Sequence, residues 1–336
     1  ALKEKHCEAL VVSALDEIGW LLNIRGKDVD YTPCLISYVV VEMDKCTIFV
    51  APNKLDDAAR AYLQRIDVCV QDYEQVFDYL KAINASAVMY DGNKVNEALF
   101  ESINSQLSTV NCSPSPVLKM QSVKNETELQ GERIAMHKDA VALTRFLSWL
   151  ENEALKTPQT EITLAEQLGK FRAMGENYTD DSFCTIAGWK GNGAIVHYHA
   201  TPEECAKIEG NGVLLLDSGG QYLDGTTDIT RTVALGTPTA EMKADYTLVL
   251  KGHLALGHQL FPYGTRGAQL DVLARCFLWN NELQYGHGTG HGIGHCLNVH
   301  EGPQSIRMDE NPTILEPGML LSNEPGLYRA GKHGIR

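Results

Sequence analysis

Glycine occupies every second position from 286 to 294 in the stretch YGHGTGHGIGHCLNVHEGP, residues 285–303. The same 19 positions hold four histidines, of which His287, His291 and His295 are four apart. On a helix that spacing would stack the three rings on one face. Each interior glycine costs a helix about 1 kcal/mol, so the alternate glycines make a helical clamp improbable. They predict extended or looped backbone, approached closely by a ligand or by another segment. In an extended segment His287 and His291 point to the same side about 13 Å apart. At most one of them is then a ligand of a given ion. Histidine this dense points to a metal or proton-handling site rather than to surface rings on a glycine loop.

A metal site needs further donors, and carboxylates at strand ends supply them. In LLLDSGGQYLDGTTDITRT two apolar strands flank a Gly-rich turn, with Asp217 ending the first and Asp228 entering the second. Aspartate is unusual in a strand pattern; Asp224 lies at the turn, where it is common for backbone reasons. If the strands pair, Asp217 and Asp228 face each other near the loop. Glu324 follows an apolar strand in GMLLSNEPGLY and precedes Pro-Gly. Three carboxylates and one histidine form a hard, oxygen-rich set suited to Mn2+ or a similar ion rather than to a thiolate-bound structural zinc.

The rest of the sequence arranges this chemistry in two domains. Strand and helix alternate through the first third (EALVVSA, LDEIGWLLNI, a hairpin LISYVVVEM–DK–CTIFVA, KLDDAARAYLQRI, VCVQDY, YEQVFDYLKAI, SAVMYDG, VNEALFESI), as in a small α/β domain. NCSPSPVLKM breaks the pattern with prolines and serines. A long helix follows, with capping-box spacing between Asn125 and Glu128. Further helices are predicted at TLAEQLGKFRAMGE, AEMKADYTLVLKGHLALGHQLF and AQLDVLARCFLWNNEL, and strands at FCTIAGWKGNGAIVHY and around Asp217 and Asp228. Runs of helices beside runs of strands predict an α+β fold. The net charge of −14 argues against a nucleic-acid partner, and no apolar run approaches the ~20 residues that span a bilayer. Nine cysteines, none in a Cys-x-x-Cys pair, suit a reducing compartment. The chain opens without Met inside a helix pattern and stops at GKHGIR, so both ends look cut.

DSGGQYLDGTTDITRT, HGTGHGIGHCLNVHEGP and SNEPGLY, in that order, resemble the pita-bread metallopeptidases. Within them ALDEIGWLLNIRG, VKNETELQGERIAMHKDAVALTRFLSWLE and GAIVHY are similar to the three-domain, cytosolic Xaa-Pro aminopeptidases (the aminopeptidase P family). The resemblance implies a creatinase-like α/β domain over 1–115 and a pita-bread catalytic domain over 116–336 that lacks its C-terminal end. It implies a dinuclear metal-dependent hydrolase that releases the first residue from peptides with a free N-terminus and proline in second place. Asp217, Asp228, His291 and Glu324 match metal ligands for two divalent ions, most readily Mn2+. A fifth, bridging glutamate would lie two residues beyond the Gly-Ile-Arg triplet that ends at Arg336. Glu324 matches a general base as well, His300 and His287 match catalytic histidines, and His197 and His300 match substrate-binding ones. His295, His199 and Asp224 match no fixed position. The same resemblance implies a cytoplasmic homodimer that binds neither nucleic acid nor membrane. Prolidase, which takes Xaa-Pro dipeptides, is the neighbouring alternative; a non-catalytic peptide-binding module of the same fold is the alternative of another class.

Overall fold

The computed structural model describes residues 1–105 and 109–336, which divide into two compact units, Ala1–Gln121 and Ser122–Arg336.

The first unit contains β1 (Ala9–Val12), α1 (Leu15–Leu21), β2 (Ser37–Glu42), β3 (Cys46–Val50), α2 (Asp57–Arg65), β4 (Val68–Gln71), α3 (Gln75–Lys81), β5 (Val88–Tyr90), α4 (Glu97–Asn104), β6 (Val110–Cys112) and α5 (Pro116–Ser122). The strands form one mixed sheet in the order β4-β3-β2-β1-β5-β6. The expected β2–β3 hairpin is antiparallel, while β3–β4, β1–β5 and β5–β6 are parallel. Side chains alternate across a strand, and the two cores follow that period. Leu10, Val12, Val39, Ile48 and Met89 pack on one face, and Ala9, Val11, Val40, Phe49 and Val88 on the other. Burial on both faces explains why these strands read as nearly continuous apolar runs. Asp56 and Asn96 cap α2 and α4 by accepting from the N–H groups of Ala59 and Leu99. The two compact units meet at 121/122. Pro116, whose fixed φ suits a first helical turn, opens α5 instead of a linker, and Val117 joins the first core.

The second unit contains α6 (Glu126–Asn152), α7 (Glu161–Arg172), β7 (Tyr178–Asp181), β8 (Ile186–Trp189), β9 (Gly212–Ser218), β10 (Gly220–Tyr222), β11 (Gly225–Thr226), β12 (Ile229–Leu235), α8 (Ala240–Gly257), α9 (Gly267–Trp279), β13 (Gly290–Gly292), β14 (Glu301–Ile306), β15 (Leu327–Arg329) and β16 (His333–Ile335). The predicted capping box is present: Asn125 Oδ1 accepts from Glu128 N at 3.0 Å, and Asn125 N donates to Glu128 Oε2 at 2.9 Å. The sheet β12-β9-β8 turns Leu214 and Leu216 toward Leu143, Phe146 and Leu168 of α6 and α7. Val213 faces the other way, toward Val249 of α8 and Leu278 of α9. Two expectations shift in detail. The helix expected to reach Phe261 stops at Gly257; Pro262 has no N–H to offer the His258 carbonyl four residues back and its ring would crowd that carbonyl. Of FCTIAGWKGNGAIVHY only residues 186–189 pair as strand, and Lys190–Ala194 form a tight 3-10 turn.

Candidate metal centre

The site is built on the antiparallel pair β9–β12, whose register sets Thr230 opposite Asp217 and Ile229 opposite Ser218. Asp228 precedes the first rung of that ladder. Asp217 and Asp228 are therefore diagonal neighbours on one face rather than directly opposed, as the sequence suggested. Thr230 donates its hydroxyl to Asp217 Oδ1 at 2.7 Å, and the Arg336 guanidinium binds Asp217 Oδ2.

His291 arrives on β13, which is extended as the glycine pattern required. Its Nδ1 lies 2.8 Å from the Gly292 carbonyl. A carbonyl only accepts, so Nδ1 carries a proton, and Nε2 is the nitrogen turned to the carboxylates and available to a cation once it gives up its own proton. That nitrogen stands 3.2 Å from Asp228 Oδ2 and 3.1 Å from Glu324 Oε1. One ligand atom from each of Asp228, His291 and Glu324 lies within 4.8 Å of the others. Backbone bonds fix the third partner: Ser322 N donates to His291 O at 2.9 Å and Glu324 N to Thr289 O at 2.8 Å. Ser322 Oγ donates to Glu324 Oε1 at 2.8 Å.

The cluster opens into a cavity of about 480 Å3 whose walls include Asp217, His197, His287 and His300. The His300 ring stands edge-on to His291, with centroids 4.3 Å apart. His287 donates from Nδ1 to Gly288 O at 2.7 Å, which leaves Nε2 to accept from the Tyr328 hydroxyl at 2.7 Å. Tyr328 accepts from Arg336 Nη1 at 2.9 Å. A polar chain thus runs from His287 through Tyr328 and Arg336 to Asp217. Beneath the loop, Arg275 of α9 donates to the carbonyls of Tyr285 and His287 at 2.7 and 2.8 Å and pairs with Asp271.

Electrostatics follow from burial and proximity. Desolvation raises the Asp217 and Asp228 carboxyls above their usual range; Glu324 adds repulsion to both, while Arg336 opposes the rise at Asp217 and His291 opposes it at Asp228. For Glu324 desolvation acts upward too, but bonds and charge from His291 outweigh it and hold the carboxyl below its ordinary value. Burial disfavours a charged His291, yet Asp228 and Glu324 push its pKa up to about 10. Desolvation lowers His287. Two carboxylates converging on one imidazole make a donor set that fits a hard divalent cation, and the Nδ1 bond to a carbonyl is the usual orienting contact of a metal-binding histidine.

His295 stays out of the cavity and packs against Gly131 of α6. Asp224 pairs with Lys138 and accepts from Asn177 at 3.2 Å. His199 was set aside in the sequence, but it lines the cavity with His197. Their i, i+2 spacing would place both on one side of extended chain, a signal available in the sequence. Arg336 and Tyr328 offered no such signal.

Residues 130–336 match the model of metallopeptidase family M24, and residues 1–128 match the creatinase/prolidase N-terminal domain. The chain belongs to metallopeptidase family M24. Its fold is a creatinase-type α/β domain followed by the pita-bread domain of M24. A probable Xaa-Pro aminopeptidase P of Laccaria bicolor is 43% identical over 344 residues, covering 100% of this M24 chain and 53% of the relative. Xaa-Pro aminopeptidase 1 of Dictyostelium discoideum is 44% identical, with 100% and 54% covered. The chain spans about half the length of the curated relatives it matches. Among solved structures, X-prolyl aminopeptidase from Caenorhabditis elegans, described as a cytosolic enzyme with a di-nuclear active site, superposes with a TM-score of 0.92 at 38% identity, covering 100% of this chain and 56% of that one. Prolidase from Pyrococcus furiosus, with a TM-score of 0.80 at 20% identity and 100% and 93% covered, shares the fold.

Proposed function

We propose that this chain carries the metal centre of a dinuclear Xaa-Pro aminopeptidase, which releases the first residue of a peptide whose second residue is proline. The observation that carries the reading is the convergence of Asp228, His291 and Glu324 in a cavity walled by His197, His287 and His300. The naming of relatives at 43–44% identity supports it. Asp217, Asp228, His291 and Glu324 would hold two divalent ions, with Mn2+ favoured by the oxygen-rich donors. A fifth, carboxylate ligand is expected beyond Arg336. When bound, such ions supply a hydroxide at neutral pH and polarise a carbonyl.

The protein groups divide the remaining work. Glu324, held below its ordinary pKa, is ionised at neutral pH and takes and returns protons as general base. His300, at the cavity side of His291, donates to the oxyanion that develops on the carbonyl before proline. His287 is held by Tyr328 with its lone pair engaged and orients the substrate. His197 contacts the proline side. Proline has no N–H, so ring shape rather than a donor contact selects the second residue. The net charge of −14 suits the free ammonium of a peptide's first residue.

Comparing hydrolysis of Xaa-Pro-Yaa tripeptides with that of Xaa-Pro dipeptides by the Mn2+-loaded full chain tests the reading. Tripeptide cleavage is expected. Cleavage of dipeptides alone would make the protein a prolidase, and tight peptide binding without cleavage would make it a binding module. The reading carries with it a cytoplasmic homodimer without nucleic-acid or membrane partners; among the described residues no helix is long and apolar enough to cross a membrane.

A further inference from the structure

Directly beneath the two aspartates lies a buried ion pair that the chemistry above does not use. Arg172 of α7 and Asp139 of α6 are both fully buried. Arg172 Nε donates to Asp139 Oδ1 at 2.6 Å, and Arg172 Nη2 to Asp139 Oδ2 at 3.1 Å. Two further bonds reach the neighbours of Asp217 and Asp228, and Arg172 Nη1 stands 3.9 Å from Asp181 Oδ1. Arg172 Nη2 donates to Ser218 Oγ at 3.0 Å, and Thr227 Oγ1 donates to Asp139 Oδ2 at 2.8 Å. Tyr222 of β10 adds a bond from its hydroxyl to Asp139 Oδ1 at 3.1 Å.

Ser218 follows Asp217 and Thr227 precedes Asp228. Successive side chains point to opposite faces of a strand. On β9 the Ser218 hydroxyl is thus on the opposite face from Asp217, while Thr227 is the residue just before Asp228 on the return to β12. The need differs for the two aspartates. Asp217 lies inside the ladder, opposite Thr230, and backbone pairing holds it. Asp228 lies outside, where the chain returns from the β10–β11 hairpin, and no rung of β12 reaches it. What fixes that point is Thr227: its hydroxyl donates to Asp139 and accepts from Gly220 N at 2.8 Å, and its carbonyl accepts from Ser182 Oγ at 2.7 Å. A buried ion pair adds little stability over well-packed apolar side chains of similar size and is often worse. Stability alone therefore does not account for it at this position.

We infer that the Arg172–Asp139 pair is a positioning element, which through Thr227 and Ser218 sets Asp228 relative to Asp217 at the spacing a pair of cations requires. It touches neither substrate nor ligand atoms. The inference rests on the metal reading above.

Divalent-ion affinity and metal-free thermal stability, measured on the same folded full-chain variants, test it. Calorimetric titration with Mn2+ is expected to show at least a tenfold loss of affinity in Thr227→Val, which removes only the anchoring hydroxyl. Thr227→Ser, which keeps it, is expected to stay within about threefold of the parent. The paired swap Arg172→Met with Asp139→Leu removes both charges of the pair together, so neither is left buried alone; Asp181, 3.9 Å from Arg172 Nη1, is partly exposed. It is expected to keep the metal-free Tm within a few degrees while losing affinity as Thr227→Val does. Parent-like Mn2+ affinity in folded Thr227→Val or in the paired swap would overturn the inference. So would an equal loss in Thr227→Ser, which would trace the effect to packing. Loss of fold in both Thr227→Val and the paired swap would make the pair a stability element only. Failure of the unaltered chain to bind Mn2+ at all would be a different result: it would remove the metal reading, and this role with it.

Discussion

Glu17 has one carboxyl oxygen bonded to the Ser115 hydroxyl and the other buried, without a hydrogen-bond partner among the described residues. Desolvation, against the opposing pull of the Ser115 bond, pushes its pKa up to about 7 from an ordinary 4.5. The folded chain then holds this proton over a range where the unfolded chain has lost it. The stabilisation is complete below about pH 4.5 and is lost as pH rises through about 7. Glu17→Gln cannot ionise. Melts at pH 5 and pH 8 are expected to show the variant gaining on the parent, by at most about 3 kcal/mol; a constant difference would mean Glu17 does not titrate there. His300 gives a second test at this scale. It flanks His291 without joining the three-atom cluster. His300→Ala is expected to lower turnover about 10²–10³-fold with bound Mn2+ unchanged by elemental analysis, and equal losses of both would make it a ligand. Three carboxylates of the site stood in local patterns, Asp217, Asp228 and Glu324 at strand ends, whereas glycine spacing left His287 and His291 open and only the family resemblance singled out His291. The partners of these residues were not legible. Arg336 reaches Asp217 across 119 positions, a separation no periodicity records, and only the Gly292 carbonyl reveals which His291 nitrogen turns to the carboxylates.

The elements show the same division between local and distant causes. The α6 capping box could be read because Asn125 and Glu128 are three residues apart and satisfy each other. The β2–β3 hairpin could be read for the same reason. The offset of Asp228 could not, since it depends on which rung of β9–β12 is last. The alternate glycines correctly predicted a close approach but not its partner. A Cβ on Gly290 would lie 2.0 Å from the Ser322 carbonyl oxygen, and one on Gly292 would lie 2.3 Å from that of Glu301. Backbone cannot retreat as a flexible side chain can, so β13 would have to move from the Ser322–Glu324 segment. Gly290→Ala is expected to weaken Mn2+ binding at least tenfold and to lower Tm. Parent-like binding by calorimetric titration would show that the segment yields without disturbing His291.

At the scale of the molecule, every residue of the candidate centre lies in the unit Ser122–Arg336. Anything that binds only the folded state stabilises it by mass action. Mn2+ at a hundred times its dissociation constant is expected to raise the melting of this unit by about 5–10 °C. Hydrogen exchange should slow across β9, β12 and β13 and stay unchanged in Ala1–Gln121; equal protection of both units would place the ion elsewhere. The order of the donors along the chain has a further consequence. Asp228, His291 and Glu324 are separated by 63 and 33 positions and meet only when Ser322–Glu324 docks beside β13. Contacts that join such distant segments close large loops and form late. During synthesis the unit Ala1–Gln121 can fold while the unit that holds the candidate centre is still emerging. In a nascent chain the set of Asp228, His291 and Glu324 therefore stays incomplete until Glu324 has left the exit tunnel, and a cation meets the assembled cluster only after Ser322–Glu324 has docked.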